Sequence, residues 1–153
     1  MEPEKPAPPK VVTILLVDDV EQWRRSVCSM LQTYPRLHIV AEAADGLEAV
    51  QKAQELQPDV ILLDIGLPCL NGIEAAHRID QVAPRTKILF LTQNPDWEIA
   101  RAALSDCARG YVVKADAGHE LLPAIESVFR GEKFVSRRVR NQELSATTDA
   151  GAS

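Results

Sequence analysis

Two acids stand together at Asp18-Asp19, directly after the apolar run Val11 to Val17, and a third, Asp64, follows the run Val60 to Leu63. Thr92 and Lys114 close two further apolar runs, Ile88 to Leu91 and Tyr111 to Val113. An unpaired carboxylate is too costly to bury, so each acid has to face a polar crevice or a cation. Gathered in one place, three carboxylates repel and raise one another's pKa values. A hard divalent cation removes that penalty. Mg2+ suits the set, because it takes one or two carboxylates, a carbonyl and several waters and leaves room for a phosphate oxygen. Held in this way, Asp64 would be a nucleophile toward a phosphoryl group and would form an acyl phosphate. Such a transfer needs in-line positioning and charge neutralisation more than covalent help. Lys114 brings a point charge and Thr92 a hydroxyl donor, and no general base is required.

Each residue taken singly has a plainer reading. Asp19 serves equally well as a helix cap, Thr92 as a turn former, Lys114 as a solvated strand end and Tyr111 as core. What chance explains poorly is their joint occurrence, one suitable residue type at each strand end.

The elements that must position them follow from the hydrophobic pattern. Val11 to Val17, Leu37 to Ala43, the run ending at Asp64, Ile88 to Thr92 and Tyr111 to Val113 read as strands. Val20, Trp23, Val27, Met30, Leu31 and Tyr34 recur at helical spacing. Asp45-Gly46-Leu47-Glu48 predicts a capping box opening a helix through Leu56, and Asn71-Gly72-Ile73-Glu74 a second cap before a helix to Val82. Asn94-Pro95-Asp96 predicts a capped start with proline at the first helical position, for a helix to Asp106. Leu121, Ile125, Val128 and Phe129 mark a last helix that Gly131 ends. Pro123 costs roughly 3 kcal/mol in a helix interior, so that helix is expected to begin near His119 or Glu120, or to kink. Strands alternating with helices predict an α/β fold, a doubly wound parallel sheet of five strands with five helices. In such a sheet, ligands bind outside the carboxyl ends of the strands, where these residues fall.

Composition narrows the function. With 153 residues and 46% hydrophobic content the chain holds one domain's worth of core. A net charge of -5 speaks against a surface built for nucleic acid, so no direct nucleic-acid contact is expected. The apolar runs are too short to span a bilayer and the first ten residues are not signal-like, which points to the cytoplasm and no membrane partner. Cys28, Cys69 and Cys107 are scattered and odd in number, as are His38, His77 and His119, which disfavours disulfides and zinc sites. Residues 1–10 are Pro-rich and expected to be a disordered arm, and residues 11–131 the folded domain. Residues 132–153, with Phe134-Val135 and three arginines, are expected to be a flexible tail or remnant linker.

The acidic pair after the first strand, the lone Asp64, Thr92 and Lys114 together resemble a response-regulator receiver domain. Glu42-Ala43-Ala44-Asp45-Gly46, Leu67-Pro68 with Asn71-Gly72, and Gly110-Tyr111-Val112-Val113-Lys114 resemble receivers of the NarL/LuxR subfamily, over Val11 to Gly131. That resemblance implies a flavodoxin/CheY-like sheet of order 2-1-3-4-5 and Asp64 as phosphoacceptor. It implies Mg2+ on Asp19, Asp64 and the Gly66 carbonyl, with Asp18 acting largely through water. Thr92 and Lys114 would hold the phosphoryl group, and Tyr111 would turn inward as Thr92 moves. The implied phosphodonor is a sensor histidine kinase or phosphotransfer protein. The implied output surface is the face of helix four, strand five and helix five, with Trp97 and Arg101, serving a protein partner or a phosphorylation-dependent homodimer. Three departures stand out: Gln93 where a small residue is usual, Ala115 in place of a proline, and no helix-turn-helix domain after Ser136. The last leaves transcription control through a separate partner or a missing output domain as the alternative. A haloacid-dehalogenase-type enzyme would carry Asp-x-Asp where Asp18 and Asp19 are adjacent. A receiver that no longer takes phosphate would lack the intact acidic set.

Overall fold

The computed structural model describes residues 10–142. Six parallel strands form one sheet: β1 (Val12–Val17), β2 (Leu37–Ala43), β3 (Val60–Leu63), β4 (Lys87–Thr92), β5 (Gly110–Val113) and β6 (Phe134–Val135), in the order β2-β1-β3-β4-β5-β6. The helices are α1 (Glu21–Gln32), α2 (Gly46–Leu56), α3 (Gly72–Val82), α4 (Trp97–Leu104) and α5 (Ala117–Phe129), with a 3-10 turn over Lys114–Asp116. Residues 137–142 are helical as well.

Two cores explain the unbroken apolar runs. Ile61 and Leu63 of β3 face a cluster built with the alanines of α2, α3 and α4, while Val60 and Leu62 face the cluster of α1 and α5. A strand covered on both sides has no place for alternating polar residues. The alanine-rich side lets helices approach closely. Gly46 and Gly72 take this furthest, since a Cβ would lie 1.9 Å from the Leu70 carbonyl oxygen at the first and 2.0 Å from the Asp64 carbonyl oxygen at the second. The caps foreseen at Asp45 and Asn71 are made, each side chain accepting from the amide three residues on, Glu48 and Glu74. Glu48 does not reach back to close the box; it pairs with Lys52 at 2.7 Å.

Several expectations need correction. The sheet has a sixth strand, and residues 132–142, expected as flexible tail, lie against the domain. β6 pairs in parallel with β5, Gly110 opposite Phe134 and Tyr111 opposite Val135. A two-residue strand is too short for periodicity to reveal. Residues 143–153 and the arm over 1–9 lie outside the described residues. α4 is capped by Asp96 rather than opened by Pro95: Asn94 accepts from the Asp96 amide, and Asp96 accepts from Glu98. α5 begins at Ala117, so Pro123 stands inside it. Pro123 is on the exposed face, and burial of Leu121, Ala124, Ile125 and Val128 on the other offsets its cost. Gly131, at φ 85°, ends that helix as foreseen. No peptide bond among the described residues is cis, so the Lys114–Ala115 link is trans.

Candidate functional site

Strand register decides which side chains meet. Val17 pairs with Leu63 across β1 and β3, so Asp18 and Asp64 leave the sheet side by side. Thr92 pairs with Val113 across β4 and β5, which brings Lys114 to the same rim. The chain reverses direction across the sheet between β1 and β3, the switch point at which open α/β sheets form their crevice.

Asp18, Asp19 and Asp64 there offer carboxylate oxygens that all lie within 4.8 Å of one another. Asp18 is buried, at 1% exposure, and Asp64 nearly so, whereas Asp19 is exposed. The ammonium of Lys114 bridges the buried pair, 2.5 Å from Asp18 Oδ2 and 3.1 Å from Asp64 Oδ2. Asp64 Oδ1 accepts from the Ile65 amide at 2.7 Å, and Asp18 Oδ1 from the Val20 amide at 2.8 Å. Burial pushes the Asp18 carboxyl above its ordinary range, against the lowering pull of Lys114 and the Val20 amide.

A cavity of 520 Å³ opens over this rim, lined by Asp19, Asp64, Gly66, Thr92, Gln93 and Lys114 among others. All six residues expected at a metal and phosphoryl centre are thus together: Asp18, Asp19, Asp64, Gly66, Thr92 and Lys114. Tyr111 is not in the cavity. Its ring is fully buried beside Phe90, with centroids 6.4 Å apart, and its hydroxyl donates to the Asn94 carbonyl at 2.7 Å. Asn94 lies two residues beyond Thr92, so the ring and the cavity meet through one short loop. Burial raises the Tyr111 phenol well above its ordinary value, with Asp96 and Asp64 adding to the shift.

The donor set fits a hard divalent cation. Three carboxylates and one ammonium leave a deficit of two positive charges at the rim, and Asp18 Oδ2 is a buried oxygen with no hydrogen-bond donor apart from the ion pair to Lys114. Asp19, Asp64 and Gly66 are among the residues that line the cavity, and a cation held by the carboxylates would compete with the Lys114 ammonium.

Two supporting residues went unnoticed at the level of sequence. Arg24 donates to the Asp18 carbonyl at 2.6 Å and to Glu42 at 3.1 Å, fixing the turn that aims both acids. Trp23 lies under Lys114, whose ammonium is 5.2 Å from the ring centroid, within reach of a cation–π attraction. Both lie in α1, Trp23 on its apolar repeat and Arg24 off it, where spacing alone marks them as ordinary helix residues.

Residues 14–126 match the family model for the response regulator receiver domain. The transcriptional regulatory protein LnrK of Bacillus subtilis is 35% identical over 135 residues, covering 88% of this chain and 61% of LnrK. The oxygen regulatory protein NreC of Staphylococcus aureus is 35% identical over 148 residues, covering 89% of this chain and 68% of NreC. This chain therefore spans about three fifths to two thirds of those relatives. A crystal structure of a LuxR-family two-component response regulator from Aurantimonas sp. SI85-9A1 superposes with a TM-score of 0.86 at 32% identity, over 91% of this chain and 99% of that one.

Proposed function

Since the chain belongs to the response-regulator receiver family of two-component systems, we propose that Asp64 is its phosphoacceptor and that the cavity above it is a Mg2+-dependent phosphoryl-transfer site. The observation that carries this is the clustering of three carboxylates within 4.8 Å around one bridging lysine, at the mouth of a cavity that also holds Thr92.

In this reading one Asp64 oxygen attacks the phosphorus of a phosphohistidine on a sensor kinase or phosphotransfer protein. The new P–O bond forms as the P–N bond breaks, and the electron pair leaves with the imidazole. Mg2+, when bound, supplies the positive charge that lets the acids and the incoming phosphoryl oxygens share one rim. Asp19, Asp64 and the Gly66 carbonyl would hold it, with Asp18 aligning from the buried side. Lys114 would leave Asp18 for a phosphoryl oxygen, and Thr92 would donate its hydroxyl to another. Gln93 at the cavity rim would limit the access of attacking water. Hydrolysis of its own phosphoryl group would be the only turnover.

An acyl phosphate carries up to two negative charges where the free carboxylate carries one, and it biases a two-state element only where contacts differ between the states. Thr92, the loop through Asn94, and Tyr111 form that element. The inward ring, bonded to the Asn94 carbonyl, is the conformation this reading assigns to the loaded state. The output is a protein contact or a phosphorylation-dependent homodimer in the cytoplasm. The second reading is transcription control, which the name of LnrK favours. With relatives of that kind, the acidic charge does not exclude nucleic acid as a partner of a longer assembly. No helix among the described residues is long and apolar enough to cross a membrane.

The test is labelling by a small phosphodonor in the presence of Mg2+. Asp64→Ala should lose the label entirely; full labelling of that variant would mean that the nucleophile is another residue.

A further inference from the structure

Residues 134–142 cover the face formed by α4, β5 and α5, and they are fastened along their length. The amide of Phe134 donates to the Arg109 carbonyl at 3.1 Å and that of Ser136 to the Tyr111 carbonyl at 2.8 Å, so the segment extends the sheet. The Ser136 hydroxyl, fully buried, accepts from the Val113 amide at 2.9 Å and donates to Glu120 of α5 at 3.0 Å. Arg138 forms a two-pronged pair with Asp116, at 3.0 and 3.1 Å. Gln142 accepts from the Trp97 amide at the start of α4, at 3.1 Å. Ser136 thus engages β5 on either side of Val112, at Tyr111 and Val113, immediately before Lys114.

Packing ties the same segment to the Tyr111 ring. Tyr111 and fully buried Val139 belong to one apolar cluster, against which Val135 and Trp97 are packed. β5 would be the edge of the sheet without β6. Tyr111 stands on that strand opposite Val135, so its ring borders the segment that closes the edge. Seating of the segment and inward rotation of the ring therefore need the same space to be arranged the same way.

Resting on the receiver reading above, we infer that residues 134–142 are a strap that seats on the α4–β5–α5 face when Tyr111 is inward, so that loading of Asp64 closes the strap and a partner of the loaded form meets the strap, not the bare face. The coupling runs through named groups: Thr92, the Asn94 carbonyl, the Tyr111 ring, and then Ser136 and Val139. Linkage makes it reciprocal, so a loosened strap weakens loading by the factor with which loading tightens the strap.

Amide hydrogen exchange on the full chain tests this, read at Phe134, Ser136 and Val139, with the amides of β1 and β3 as folding controls. Mg2+ with beryllofluoride should slow the three strap amides by roughly 5- to 150-fold, the usual span of such couplings. Tyr111→Ala should release them to rates near those of an open chain while β1 and β3 stay protected. Strap amides as slow in Tyr111→Ala as in the wild type overturn the inference, as does an unchanged rate where fluorine NMR shows beryllofluoride held. Failure to hold beryllofluoride at all would sink the phosphoacceptor reading instead, and the Tyr111→Ala arm then decides on the strap by itself. If Tyr111→Ala loses the β3 amides too, Val139→Ala replaces it. That variant should speed exchange at Ser136 and weaken beryllofluoride binding by a similar factor; a change in the first without the second overturns the coupling.

Discussion

Lys114 holds together two acids that a metal would hold better, and its removal should therefore cost less stability with Mg2+ than without it. Lys114→Met keeps most of the stem against Trp23 and removes the charge. Breaking a buried ion pair from one side costs about 3–5 kcal/mol. Asp18 can escape part of that cost by taking a proton. From its ordinary value of 3.8, protonation at pH 7 costs about 4 kcal/mol at 1.36 kcal/mol per unit, which sets a ceiling on the share of the loss that comes from Asp18. At pH 5 the same ceiling falls to about 1.6 kcal/mol. Urea unfolding in the presence of a chelator should show a deficit of about 3–4 kcal/mol at neutral pH, shrinking by half or more at pH 5. With Mg2+ the deficit should narrow, because the variant has no ammonium to displace. A tenfold gain in its Mg2+ affinity over the wild type would recover about 1.4 kcal/mol at saturation. A deficit that stays the same with and without Mg2+ would refute the idea that lysine and cation compete for the same carboxylates.

Asp18 itself carries a pH signature. Its folded-state pKa is raised by burial, so the stability it contributes is present below its unfolded value and is lost as pH rises through the folded one. Asp18→Asn should flatten the stability profile of the metal-free protein above about pH 4 and leave it more stable at pH 7, with weaker Mg2+ binding; an unchanged profile counts against burial as the cause of the shift. Gly72→Ala places a methyl 2.0 Å from the Asp64 carbonyl oxygen, and the loop or α3 has to move. Thermal unfolding should show a loss of about 3 kcal/mol, the upper end of overpacking costs, together with slower labelling of Asp64.

Much of this arrangement was legible from residue order because parallel sheets impose it. An apolar run that ends in a charged residue announces both the strand and the rim where the charge must emerge, which is why Asp18, Asp64 and Lys114 could be placed before any geometry was known. Asp45 and Asn71 were equally legible, since a cap acts within its own turn. What escaped depends on contacts distant in sequence. That Lys114 bridges Asp18 and Asp64 follows from the register of strands β1, β3 and β5 with the turn after β5. Asn94-Pro95-Asp96 misled because Asn94 spends its side chain on a turn to Asp96, which moves the cap two residues on. Ser136 gave no sign of its role, since its hydroxyl gains two partners and its amide a third only when β5 and Glu120 are brought to it.

The four residues of β5 join the two halves of the mechanism. Lys114, directly after the strand, answers to the charge on the acids. Within the strand, the side chain of Tyr111 answers to the loop after β4, and its carbonyl to Ser136. Close-packed interiors shift between discrete arrangements and do not deform gradually. A change in where Lys114 rests therefore has few places to be absorbed: β4 on one side is buried in both cores, and on the other lies a two-residue strand held by its own hydrogen bonds. The weaker neighbour is the one that should move, and it is also the one on the output face.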